Sequence, residues 1–265
     1  MRDHAVLVPT SRGGVSAIVT QPGAVQRGAL VLLQGAGPPA RSGVNALWTR
    51  VAHELAGIGL VVIRFDFACE GDNPGVGRDV PRARAWRRGI DLGLLREIAP
   101  WFLQRAGERA LSVAGSCHGA RVALEFAATE PVANGTFLLV PYLGDREPNL
   151  RDDAAEDEIP PLLDERQWGT GPTLTDGAEL LEGFRACLER GPVWTLVGEE
   201  EAAPVRPFAA ALEGSGRALE LEVAPGTAVL HPIANPVQQE IARERLVSRV
   251  AKAFAEREDR VASYS

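Results

Sequence analysis

Cysteine is scarce in this 265-residue chain, which has only Cys69, Cys117 and Cys187, none of them in a Cys-x-x-Cys pair. An odd, widely spaced set builds neither a disulfide framework nor a cysteine-rich zinc site, so each is judged as a free thiol. Long apolar runs are missing as well. Nowhere do about 18 apolar residues stand together, and Met1–Thr10 carries no apolar stretch ahead of a small-residue cleavage site. The expectation is a cytoplasmic protein with no membrane partner. Positive charge is in deficit: the formal net charge is −7. Phosphate binding draws on clustered Lys and Arg, so a nucleic-acid partner is not expected. Small molecules or carrier-borne groups fit the balance better.

What the chain does have is a core's worth of apolar residues, 45% of the composition, enough for one α/β domain spanning 1–265. Short runs rich in β-branched residues alternate with stretches of helical period, the pattern of β-α-β units around a mostly parallel sheet. Eight strands are expected, at 5–9, 15–20, 29–33, 59–65, 110–114, 135–140, 193–197 and 219–223, the first two as an antiparallel hairpin across Ser11–Gly14. Leu47, Val51 and Leu55 mark a helix at 46–57, and Trp86, Ile90, Leu94, Ile98 and Trp101 mark another that Pro100 should kink or restart. Further helices are expected at 121–129, 179–190 and 236–257. One stretch breaks the rhythm. Between Asp145 and Arg166 stand nine acids, three arginines and prolines at 148, 160 and 161, which reads either as a solvated loop or as part of a short cap or lid over about 145–190.

The chemistry concentrates at Leu111–Glu125, where a strand runs into Gly115-Ser-Cys117-His-Gly119 and on into a helix. A tight strand-to-helix turn forces its central residue into a strained conformation, and small residues on either side let the backbones approach. The helix dipole there favours a thiolate, and the N–H of His118 points where an oxyanion would form. Cys117 is therefore expected to have a depressed thiol pKa. Cys69, at a strand end, and Cys187, within a helix, lack this setting and read as small buried hydrophobes.

The Gly-x-Cys-x-Gly turn resembles the nucleophile elbow of the α/β-hydrolases, with Cys in the place of Ser, and the resemblance runs from about Ala29 to Arg257. Ala29–Gly37 looks like that family's third strand and oxyanion loop, with Gln34-Gly35-Ala36 where His-Gly-x is usual. Arg64-Phe65-Asp66 and Gly71-Asp72-Asn73 resemble its fourth strand and following turn. The wording is similar to small hydrolases associated with bacterial exosortase clusters, which carry a Cys elbow and a Gly-rich oxyanion loop followed by Pro and Arg.

The resemblance implies a nucleophile, acid, histidine order along the chain. His231 then takes the base position, in the loop after the last strand. His4 and His53 read as surface residues, and His118 as a backbone donor. Glu201 matches the family's Gly-x-x-Asp acid within Gly198–Ala202, with Glu199, Glu200 and Asp145 as alternatives. The N–H groups of Ala36 and His118 would form the oxyanion hole. No cofactor is implied, and the Cys117-His118 adjacency lacks further ligands for a metal.

A thiol needs less help from a base than a hydroxyl, and its acyl-enzyme is a thioester that amines, alcohols and thiols can still attack. The expected function is an acyl-processing hydrolase or acyltransferase, of thioesterase or esterase type, acting on an ester or thioester. A lyase or cyclase using the same pair, and a non-catalytic binding protein of this fold, are the alternatives. Arg78, Arg82, Arg84, Arg87 and Arg88 form the one basic cluster. It reads as an exposed helix face or as a seat for an acidic acyl carrier protein.

Overall fold

The structure is a computed structural model that describes residues 1–11, 13–23, 25–35, 41–67, 90–107, 111–132, 134–143, 177–214, 218–230 and 236–263. Cys69, the arginines at 78–88 and the acidic stretch at 145–166 lie outside the described residues, as do Ala36 and His231.

Eight strands form one sheet in the order β1-β2-β4-β3-β5-β6-β7-β8. β1 (Arg2–Thr10) and β2 (Gly13–Gln21) make the expected hairpin, with Val8 opposite Val15. β2 also pairs antiparallel with β4 (Leu60–Phe65). The remaining neighbours, β4 with β3 (Gly28–Leu33), β3 with β5 (Ser112–Ser116), β5 with β6 (Thr136–Leu139), β6 with β7 (Val193–Val197) and β7 with β8 (Leu219–Val223), are all parallel. β3 through β7 are buried at every position, as continuous apolar strands covered on both faces must be.

The alternation of side chains sorts the interior into two cores. On one face Val31, Leu33, Val113 and Leu138 pack against α2 (Ile90–Ala106), α3 (His118–Thr129) and α4 (Gly177–Arg190). On the other, Leu30, Leu32, Phe137 and Trp194 meet α1 (Leu47–Gly57) and α6 (Pro236–Ala262). α1 contributes Leu47, Trp48, Val51 and Leu55, all buried, each stabilising by about 1.5–3 kcal/mol relative to exposure. Among the described residues no helix is long and apolar enough to cross a membrane.

Three elements differ from the sequence expectation. β5 lies two residues later than the expected 110–114, because Gly115 and Ser116 are drawn into the ladder by Leu33 and Leu139 on either side. α2 continues through Pro100 without restarting; Leu95, Ile98, Ala99 and Phe102 are buried around it, and their packing outweighs the lost backbone hydrogen bond. The helix expected at 179–190 is present as α4, whose Leu180, Phe184, Cys187 and Leu188 belong to the core beside α3. An unforeseen helix, α5 (Arg206–Leu212), opens on Pro207 in its first turn, a position Pro tolerates because no intrahelical N–H bond is owed there.

The chain builds β3, steps to β4 on one side, and after α2 returns to β5 on the other side of β3. At such a reversal the connections leave in opposite directions, opening a crevice at the carboxyl ends of the two central strands. Gln34 and Gly35 follow β3 there, and Cys117 follows β5.

Candidate active site

Cys117 stands between the last residue of β5 and the first of α3 with φ 50° and ψ −116°. A non-glycine residue in that region carries strain and persists only where its surroundings dictate it. They do so here through hydrogen bonds on both sides. The Cys117 N–H donates to the Leu139 carbonyl at 3.0 Å, and its carbonyl accepts from Tyr142 at 3.3 Å and Arg121 at 3.2 Å. Between Leu139 and Tyr142, Val140 is itself at φ 45°, strained for a β-branched residue, while its N–H donates to Leu196 at 2.8 Å. The two glycines are required by close approach. A Cβ on Gly115 would strike the backbone of Gly119, and one on Gly119 would strike the carbonyls of Leu33 and Gln34. Gly35, just past β3, approaches less closely, a Cβ there lying 3.2 Å from Cys117 Cβ.

The thiol is partly buried. Burial pushes its pKa above the ordinary value; the His118 N–H on the sulfur opposes this, and the negative charge of Glu201 reinforces it. This corrects the depressed pKa expected from the helix terminus. The terminus does supply an N–H, but desolvation, stronger here, favours the neutral thiol. Cys187 is fully buried, donates to the Leu124 carbonyl at 3.4 Å and is pushed up to about 12 by burial.

The loop after β7 and the loop after β8 are sewn together. Glu199 and Glu200 donate backbone N–H groups to Thr227 and Ala228 at 2.8 and 2.9 Å. Gly198 is pressed so closely on Ala228 and Leu230 that no side chain fits. Glu201 Oε2 accepts the N–H of Gly198 at 2.9 Å and of Leu230 at 2.7 Å. The Glu201 carboxylate is thus fastened to the residue immediately before His231. Glu199 and Glu200 are exposed, the former accepting from Gly226 at 3.0 Å. The structure brings Cys117, His118, Glu201 and Gly35 to one end of the sheet; Ala36, His231 and Asp145 fall outside the described residues.

Three polar pairs around the elbow, two of them buried and one part-buried, were not foreseen. Asp66, just past β4, accepts the Arg41 N–H at 2.6 Å and pairs with its guanidinium, pinning the chain at Arg41 to the end of β4. Arg121, fully buried in α3, pairs with Glu125 at 3.1 Å and donates to the Tyr142 carbonyl at 3.2 Å, holding the segment that in turn holds Cys117. Asp91 meets His118 at 2.7 Å. The last two pairs could be found only in part from sequence: Arg121 and Glu125 stand four apart on one helix, whereas nothing in the sequence links Asp91 to His118. Among the described residues no group of three His, Cys, Asp or Glu side chains could hold a metal ion.

No protein-family model matches the chain, and no curated protein matches its sequence. Solved structures do. An α/β serine hydrolase without a lid from Xanthomonas campestris is similar over 97% of this chain and 95% of its own, with a TM-score of 0.57 and 18% identity. A Pyrococcus furiosus esterase aligns over 96% and 91% with a TM-score of 0.66 and 15% identity. A thermostable carboxyl esterase from Bacillus coagulans aligns over 96% and 99% with a TM-score of 0.66 and 14% identity. The chain has the α/β-hydrolase fold.

Proposed function

We propose that the protein is an acyl-processing enzyme, an ester or thioester hydrolase or acyltransferase, that works through a covalent acyl-cysteine at Cys117. The observation that carries this reading is the backbone of Cys117, held at φ 50° at the mouth of the central strands with the His118 N–H on its sulfur. Nothing in packing alone calls for a strained residue with a reactive side chain at that point. The similarity to proteins described as esterases and a serine hydrolase supports the same class of reaction. The further likeness to exosortase-associated hydrolases rests on the sequence motifs and belongs to this proposal.

In the proposed reaction His231 takes the thiol proton as the sulfur attacks the carbonyl carbon. The carbonyl π pair moves onto oxygen, where the N–H groups of Ala36 and His118 receive it. Collapse expels the alcohol or thiol, which takes the proton from His231, and water or another acceptor then attacks the thioester. Glu201 orients His231, a role that its bond to the Leu230 N–H favours over Glu199 and Glu200. Burial raises the thiol pKa, so Cys117 needs a base to take its proton as it attacks, the role proposed for His231. A carrier-borne acyl group remains the proposed substrate form, alongside free small esters.

Intact-mass measurement after incubation with a panel of acyl thioesters and p-nitrophenyl esters tests the proposal. One acyl adduct is expected, absent in Cys117→Ala and accumulating more slowly in His231→Ala. Ester turnover undiminished in Cys117→Ala would overturn it.

A further inference from the structure

Asp91 in the first turn of α2 and His118 at the start of α3 are both almost wholly withdrawn from solvent, and His118 Nε2 lies 2.7 Å from Asp91 Oδ2. Burying an ionisable pair is costly, so its presence beside the nucleophile calls for a reason. Neither side chain has a role in the proposed triad. The His118 ring is clamped from two directions, by Asp91 and by the edge-on ring of Phe67, 5.3 Å between centroids. Phe67 is backed in turn by Phe65 at 5.8 Å. On the chain side, His118 is followed by Gly119, which touches the end of β3. A residue held at both its side chain and its backbone cannot rotate its peptide plane, and the His118 peptide N–H is the group that faces Cys117 Sγ.

We infer that Asp91 is a positioning residue for the oxyanion hole: through the His118 ring it fixes the direction of the His118 N–H. The inference rests on the acyl-transfer reading and extends it to a residue on a different helix, 27 positions away from its partner. Preorganised donors are effective because they need not reorient as charge develops, and small misplacements are expensive in rate.

Two reactions at the same sulfur separate this role from a merely structural one. With p-nitrophenyl acetate the S–C bond forms as the carbonyl pair moves to oxygen, and nitrophenolate leaves on collapse, so the N–H is needed. With iodoacetamide the sulfur displaces iodide at a saturated carbon, iodide carries away the bonding pair, and no oxyanion forms. Asp91→Asn, nearly isosteric, and Asp91→Leu should slow acylation by about 10-fold and about 100-fold, through kcat with KM little changed. Their iodoacetamide rates on the high-pH plateau should stay within about twofold of the parent protein. The midpoint of the alkylation profile should move upward, since a misdirected N–H stabilises the thiolate less. Should the leucine variant fail to fold, the asparagine variant carries the test. Acylation retained in both variants, or plateau alkylation falling in parallel with acylation, would overturn the inference while leaving the acyl-cysteine proposal standing. A parent protein that forms no acyl adduct would instead overturn the acyl-cysteine proposal and this inference with it.

Discussion

Cys117 and Cys187 meet the same helix from opposite chemical sides. Cys117 precedes α3, and its sulfur faces that helix's first N–H, whereas Cys187 in α4 donates to the Leu124 carbonyl within α3. Burial raises both thiols. The difference is therefore one of geometry more than of acidity. Cys117 sits on a strained turn at the carboxyl end of the sheet with an N–H facing its sulfur, while Cys187 is fully buried with its thiol already donating to an acceptor. A raised pKa does not by itself distinguish an inert cysteine from a catalytic one; the surroundings that the thiolate would enter do.

The most direct way to break this contrast is to remove each sulfur in turn. Cys117→Ala should lower ester turnover by at least about 1,000-fold, measured as initial rates with p-nitrophenyl esters, and a residual rate near the parent value would erase the contrast. The backbone comes next. Gly119→Ala should cost about 2–4 kcal/mol in denaturant unfolding, since its Cβ meets backbone carbonyls. Gly177→Ala, at the start of α4 with open space around it, should change stability by less than about 1 kcal/mol.

Glu201→Gln sharpens the comparison of charge. The thiol is the neutral form of an acid, so a nearby negative charge raises its pKa, and removing that charge must lower it. Iodoacetamide should then alkylate Cys117 faster at neutral pH in this variant, although ester turnover should fall by about 10-fold if His231 loses the orienting partner proposed for it. Alkylation unchanged or slowed would remove the assigned influence of Glu201 on Cys117. The smallest effect is expected at the other thiol: Cys187→Ala should leave turnover within about twofold and cost about 1–2 kcal/mol of stability, read from denaturant midpoints.

Much of this was legible in the sequence because it was local. The hairpin at Ser11–Gly14, the parallel strands and the turn at Gly115–Gly119 each announce themselves through a few neighbouring residues. What escaped was written across distance. Gly115 and Ser116 are poor strand formers, and only their neighbours in β3 and β6 make them strand. Pro100 breaks helices locally, yet its helix is held by the core. The helix N-terminus at His118 could be read, but the desolvation and the Glu201 charge that outweigh it could not, and neither could the reach of Asp91 to His118.

The sewn loops after β7 and β8 divide the proposed machinery into two classes of stability. Cys117 is anchored by hydrogen bonds to the central strands, where amides are expected to exchange only on global opening. The Glu201 loop is joined to Thr227, Ala228 and Leu230 at the edge of the sheet, and mutually bonded segments of this kind open as one cooperative unit. A single local opening would carry the acid and the chain leading to His231 away together. Such a molecule would pass through a disarmed state well before it unfolds, and deuterium uptake at Glu199, Glu200 and Leu230 would rise as a group while Ser112–Ser116 stayed protected.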